Sequence, residues 1–298
     1  MIRSIWLGCF FACLLSGCNA QKNNISLKKQ DNNNTLLWEV SGKDLQKPSF
    51  LFGTFHLLCK DEVKFSAQLK SAMQFADSVY MELDLDDPST MMSGLLYINM
   101  KNDKKLKDFY TTEEYKKINE YFSDSLHMPM MMFQKAKPYF LVALLYPKMM
   151  KCKTFSGVDE EVMKLAKQNN KQIAGLETME FQSSIFDSIP YELQAKELLK
   201  NIDSLDKYKN EFDTLMQAYK SQQLNTMEKL MNESEFGMEK YENILVNYRN
   251  ANWVKHLKTI MKTESVFVAV GAGHLLGKKG LINLLRAEGY VVEPIENE

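Results

Sequence analysis

Two apolar runs near opposite ends of the chain constrain its fold more than any other feature. Phe50–Gly53 leads through "FLFGTFH" to His56, and Val266–Gly271 leads through "VFVAVGAGH" to His274. Each has a strand's composition, reaches a glycine, and meets a histidine three residues on. Leu36–Val40, Val79–Leu83, Ile173–Leu176 and Tyr290–Ile295 have the same length and character. Short runs rich in β-branched and aromatic residues read as strands. Between them lie segments with helical spacing: Glu62–Phe75, Gly157–Gln168 with Val158, Val162 and Leu165, and Lys278–Glu288 with Leu281, Leu284 and Leu285. Strands alternating with helices predict an α/β fold, a mixed central sheet with flanking helices. Residues 88–150 and 178–262 read as helical almost throughout. The expected organisation is therefore one α/β domain over 35–298 carrying two large helical insertions.

The chemistry gathers where the strands stop. One run ends on His56, "SVYMELD" places Glu82 near its end with Asp84 two residues later, "KQIAGLET" ends on Glu177, and the last-but-one run ends on His274. Ligands of open α/β sheets collect in the crevice beyond the strand ends. Gly53, Gly271 and Gly273 would let the backbone turn there and approach a ligand closely. Two imidazoles with one or two carboxylates suit a borderline divalent ion, zinc, manganese, cobalt or iron. A carboxylate left over could take a proton from water. Each piece also has a plain structural reading: a histidine can serve a turn, and Glu82 or Glu177 can cap the following helix.

Further along, Leu245, Tyr248, Arg249, Asn252, Trp253 and His256 share a helical face in "NILVNYRNANWVKHL". Arg249 then either faces inward, where it needs a carboxylate or a substrate oxygen, or snorkels from the edge of the stripe. His256 reads as structural. The methionines of "HMPMMM" (127–132), Met91-Met92 and Met149-Met150 admit three readings. They could make a soft copper(I) site with His127, a flexible apolar lip for a greasy ligand, or gap-filling in helical insertions. Gap-filling is favoured.

Composition narrows the functional classes. Apolar residues make up 45% of 298, enough for a large core, and the formal net charge is −1 with no basic stripe, which argues against nucleic-acid binding. The N-terminus has Arg3, a short apolar core from Ile5 to Leu15, and then Leu-Ser-Gly-Cys at 15–18. That layout fits a secretory signal over 1–17 rather than a membrane-spanning helix. Leu-Ser-Gly-Cys resembles the bacterial lipobox, which makes Cys18 a candidate lipidation site followed by a polar tether over 18–34. Cys59 and Cys152 are then the cysteines of the folded body, paired or free.

Four pieces in order carry a family resemblance: "LLWEVSGKDLQKPSFLFGTFHLL", "VYMELD", "GVDEEVMKLAKQNNKQIAGLETMEFQ", and "YRNANWVKHL" followed by "VFVAVGAGHLLGKKGLINLLRAEGYVVEPI". Together they resemble the TraB/GumN family, whose animal relatives are TIKI-type metalloproteases. The resemblance implies an α/β core with a divalent-metal site. It implies His56 and His274 with Gly53 and Gly271, Glu82, Glu177 and Arg249 as functional residues. Phe55, where an aliphatic residue is more usual, and Cys59 depart from the pattern.

The expectation is a metal-dependent hydrolase, a peptidase acting on a peptide or protein substrate at a bacterial envelope surface and anchored there by lipid. His56, His274 and Glu82 or Glu177 would hold the metal, the remaining glutamate would act on water, and Arg249 would steady the oxyanion. The rivals are a non-catalytic surface protein that binds a peptide or partner, and an ester hydrolase with the same site. No Gly-x-Ser-x-Gly elbow supports a serine mechanism.

Overall fold

All six apolar runs form strands of one sheet. The computed structural model describes residues 25–233 and 241–298; the signal segment and Cys18 lie outside the described residues. The strands are β1 (Leu37–Ser41), β2 (Ser49–Thr54), β4 (Ser78–Met81), β6 (Gln172–Gly175), β7 (Val266–Gly271) and β8 (Val291–Pro294). A two-residue ribbon pairs β3 (Leu58–Cys59) with β5 (Phe155–Ser156) outside the main sheet. The main sheet has the order β6-β4-β7-β2-β1-β8. β6, β4, β7 and β2 run parallel, while β1 is antiparallel to both β2 and β8. The fold is α/β with a mixed sheet.

Sequence and position agree closely at the centre. β7 lies between β4 and β2, and its residues Val266–Val270, which alternate between the two faces, are all buried. A parallel strand buried on both faces needs a continuous apolar run, and "VFVAV" supplies one. β2 is buried along its whole length for the same reason.

Several elements decide or depart from the sequence reading. The expected tether is partly laid against the body. Leu27 is buried, Lys29 bridges Ile295, and Gln30 N–H donates to the Pro294 carbonyl at 3.0 Å. Cys59 and Cys152 are joined in a disulfide with Cα atoms 5.8 Å apart. It ties the β3 ribbon to residues following the first helical stretch. Phe55 packs on Tyr219 and Phe212, with ring centroids 5.0 and 5.8 Å away, so its aromatic side chain serves the core.

The methionines divide. Met130, Met149 and Met150 are buried and fill the core, whereas Met91, Met92, Met131 and Met132 are 62–81% exposed. His127 is exposed in the left-handed region at φ 57°, a turn conformation. Gap-filling describes only the first group. Among the described residues no helix is long and apolar enough to cross a membrane.

Candidate functional site

The four parallel strands deliver their terminal side chains in spatial order. Reading across β6, β4, β7 and β2, these are Glu177, Glu82, His274 and His56. His56, Glu82, Arg249 and His274 line a single cavity of about 280 Å³, together with Gln182, Ile185, Phe186, Leu245 and Val246. The two imidazoles, which start from distant parts of the chain, thus face the same space. Glu177 is not among the lining residues.

Each imidazole is held through Nδ1. His56 Nδ1–H donates to Asp159 Oδ2 at 2.8 Å, and the hydroxyl of Thr54 donates to the other oxygen of Asp159. Asp159 stands in the first turn of helix Val158–Gln168. That helix start is docked by Val158 N–H on the Phe55 carbonyl, and a side chain on Gly157 would come within 3.0 Å of the His56 carbonyl. Glycine at 157 therefore lets the helix approach closely enough for Asp159 to reach the ring. His274 Nδ1–H donates to Asn250 Oδ1 at 2.7 Å. The Asn250 amide is itself oriented by donating to the carbonyls of His274 and Lys279 at 3.2 and 2.9 Å. A neutral ring tied at Nδ1 to an acceptor keeps the Nε2 lone pair for another partner, as at His274; at His56, raised to about 9, a cation would have to displace the Nε2 proton. Sequence reasoning missed both partners. Asp159 was hidden in a helix read for its apolar stripe, and Asn250 sat one residue from the arginine that drew attention.

Arg249 is the centre of the network. Its side chain is 9% exposed, which decides for the inward reading. Nε donates to Glu177 at 3.0 Å, and Nη2 donates to Glu82 and Glu177, each at 2.6 Å. Nη1 donates to the Leu245 carbonyl at 3.0 Å and to His274 Nε2 at 3.1 Å. All five guanidinium N–H groups are engaged. The Leu245 carbonyl lies in a π-helical turn, Asn243–Asn247, where the ladder is wound from i to i−5. π-turns of this kind recur at functional sites.

The two glutamates play unlike parts. Glu177 accepts from Arg249, from Trp253 Nε1 at 3.0 Å and from Gln182 at 3.0 Å, so it is walled in by donors. Thr178, not Glu177, caps the following helix, through a bond from Phe181 N–H. Glu82 accepts the Gly271 N–H at 2.9 Å and lies 3.7 Å from His274 Nε2. A Cβ on Gly271 would sit 3.2 Å from that carboxylate oxygen. Asp87, not Glu82, caps the next helix, and Asp84 closes the turn before it by accepting from Asp86 and Asp87 N–H. His256 is exposed, with an edge contact to Tyr80.

Of the glycines, Gly53 is forced: a Cβ there would lie 3.0 Å from the Ala272 side chain and 3.1 Å from its Cα. Its carbonyl accepts the Tyr219 hydroxyl at 2.9 Å. Gly273 faces the tip of Met231, 2.8 Å from where a Cβ would stand.

Electrostatics follow from this geometry. Burial drives the His274 pKa down to about 3, so the ring is neutral, as a Nε2 that accepts from Arg249 requires. Burial would raise the Glu82 carboxyl, but His274, Arg249 and His56 outweigh it and hold it down to about 2. With His274 uncharged at neutral pH, Arg249 is the main opposing charge there. Burial wins at Glu177, whose pKa is raised despite Arg249. The bond to Asp159 raises His56 to about 9; its side chain is 76% exposed at the cavity mouth, where water moderates that pull.

Among the described residues no three His, Cys, Asp or Glu side chains converge as a metal-binding group. The Arg249 guanidinium occupies the space between Glu82, Glu177 and His274 instead.

Comparison with known proteins supplies the remaining context. The TraB/PrgY/gumN family description matches residues 36–294. The chain belongs to this family. It is 23% identical over 322 aligned positions to metalloprotease TIKI2 of Xenopus tropicalis, covering 89% of this chain and 61% of that protein. Against TIKI2 of Danio rerio the identity is 22%, again over 89% and 61%. Against TIKI1 of Danio rerio it is 21%, over 93% of this chain and 65% of the relative. The chain thus spans somewhat under two thirds of the length of the curated relatives it matches. No solved structure gives a significant match.

Proposed function

We propose that the protein is a divalent-metal-dependent hydrolase, a peptidase, with His56, Glu82 and His274 as its metal-holding groups. The observation that carries the reading is the shared cavity: two imidazoles tied at Nδ1 and one ionised carboxylate, delivered by adjacent parallel strands. The donors fit a borderline divalent ion such as manganese, cobalt or zinc in kind, and Asp159 and Asn250 are the outer partners that metal-ligating histidines use. Similarity to proteins named metalloproteases supports the same conclusion. A bound ion would supply Lewis acidity and bring the pKa of water toward neutrality.

The chain's own residues supply the rest. His274 Nε2 and Glu82 can turn to a cation only as the guanidinium releases them, and Glu177 and Trp253 keep Arg249 in place when it does. The N–H groups so freed are then available to a developing oxyanion. Glu177, which lies outside the cavity lining, positions Arg249. A peptide or protein is the proposed substrate.

A lipid anchor at Cys18 on a bacterial envelope surface is part of the proposal. It is supported by the lipobox-like Leu-Ser-Gly-Cys and by the Cys59–Cys152 disulfide, which suits an oxidising compartment.

The test is elemental analysis and a peptide-library digest with added manganese, cobalt or zinc, on the protein purified without a metal column. His56→Ala and His274→Ala should each lose bound metal and hydrolysis while keeping the fold. Unchanged metal content and hydrolysis in both variants would overturn the assignment.

A further inference from the structure

We propose that the cavity selects one large apolar side chain, so that the substrate is a peptide carrying Leu, Ile, Met or Phe next to the bond presented to His56, Glu82 and His274. This builds on the peptidase reading and adds the class of residue the site takes.

The cavity is two-sided. Its polar floor is the strand-end cluster. Its wall comes from two helical elements, Ile185 and Phe186 on Met179–Asp187, and Leu245 and Val246 on the π-turn. On the first element Gln182, Ile185 and Phe186 share a face at spacings of three and four. Gln182 reaches the floor by donating to Glu82 at 3.2 Å, while the next turn presents only hydrocarbon. The change from polar to apolar therefore happens along one helix, across about one turn. A peptide whose carbonyl lies over the floor must lay a neighbouring side chain against the wall.

Charge argues in the same direction. Glu82 and Arg249 neutralise each other within the floor, and the wall offers no ionic or amide group. A Lys or Asp side chain placed there would lose hydration with no partner in return. An apolar one gains the transfer free energy of its surface and covers Val246 and Phe186, which are only half-buried in the free chain.

The wall is also preformed. Phe186 packs on Phe140 and Tyr139 with ring centroids 5.2 and 6.2 Å away. The helix is anchored from behind by the buried Lys137, which donates to Asp187 at 3.0 Å and to the Ser183 carbonyl at 2.9 Å. Phe181 packs 6.2 Å from Tyr248, the residue that directly follows the π-turn, which ties the first wall element to the start of the next helix. A rigid wall discriminates because little ordering is needed on binding. The volume of about 280 Å³ is below the usual range for a drug-sized ligand, about 300–1,000 Å³. It suits one side chain with its adjoining peptide unit.

The experiment uses blocked heptapeptides that differ only at the central residue: Leu, Met, Phe, Ser, Asp or Lys. Binding to the metal-stripped full chain is followed by calorimetry, and hydrolysis is followed separately with added metal. The expected result is that Leu, Met and Phe peptides bind tighter than Ser, Asp and Lys peptides by about tenfold or more. Val246→Lys should abolish that difference, and Val246→Thr, which keeps the side-chain shape if the first variant fails to fold, should reduce it. Equal binding of apolar and charged peptides, or no binding of any, would overturn the proposal, whatever hydrolysis shows. Apolar-selective binding that Val246→Lys removes would support it even if no metal produced hydrolysis, in which case the peptidase reading alone falls.

Discussion

Replacing Arg249 with methionine isolates what its charge does, because methionine keeps much of the volume and removes all five N–H donors. Glu82 and Glu177, whose side chains are 15% and 4% exposed, would then be left as buried carboxylates without their cation. Breaking a buried pair in this way costs about 3–5 kcal/mol. The pH dependence should reverse as well. In the native protein the Glu82 carboxyl is held down from 4.5 to about 2, a linkage of at most about 3 kcal/mol, of which Arg249 supplies the part that survives with His274 neutral. A depressed folded pKa contributes stability that is present above the unfolded value and lost as pH falls through the folded one. That contribution is full at pH 7, only modestly reduced at pH 4, and lost mostly as pH falls further toward the folded value. In Arg249→Met both carboxyls rise, so the variant is penalised at neutral pH and relieved on acidification as they protonate. The deficit relative to the native protein should shrink by about 1–2 kcal/mol between pH 7 and pH 4, mostly because the variant's carboxyls protonate. Urea unfolding of metal-stripped protein, followed by tryptophan fluorescence at both pH values, measures it. A deficit under about 1 kcal/mol at pH 7, or one that is the same at pH 4, would refute the reasoning.

Other outcomes follow from single contacts. Asp159→Asn should let the His56 pKa fall from about 9 toward its ordinary 6.5, read from the imidazole NMR titration; a value still near 9 would mean that Asp159 is not its source. Replacing Cys59 and Cys152 by serine opens a cross-link spanning 93 residues and should cost about 4–5 kcal/mol by chain-entropy reckoning, measured by urea unfolding under oxidising conditions. Gly175→Ala would put a Cβ 2.8 Å from the Asp84 amide nitrogen and 2.9 Å from the Glu177 carbonyl oxygen. Both are backbone, so a loss of about 1–3 kcal/mol is expected, with lower hydrolytic activity from a displaced Glu177; a melt within experimental error of the native one would contradict the contact.

The strands were legible because a buried parallel strand tolerates nothing but an apolar run, and "VFVAV" and "SFLFG" could be little else. The candidate-site residues could be named from the sequence because they stand directly after those runs. What escaped was anything fixed only by tertiary contact. Glu82 and Glu177 look equivalent in the sequence, and only the direction of their side chains separates a cavity wall from an arginine cradle. Asp159 follows an ordinary helix start, and its importance comes from the close approach at Gly157. The two-residue ribbon of Leu58–Cys59 and Phe155–Ser156 is too short to leave a periodic signal. Residues Leu27–Gln30 look like linker because their partners, Pro294 to Glu296, come at the far end of the chain.

The insertion of β7 between β4 and β2 has a consequence for biogenesis. A ribosome finishes β2, β4 and β6 long before it reaches Val266, yet β2 and β4 have no hydrogen bonds to each other and wait for the strand that joins them. Such non-local pairing is slow to form. His274 travels on that late strand and Arg249 on the helix just before it, so a nascent chain carries His56 and Glu82 as unconnected fragments. The pocket closes only once nearly the whole polypeptide has been made, so a partly synthesised molecule lacks the assembled cluster of His56, Glu82, Arg249 and His274.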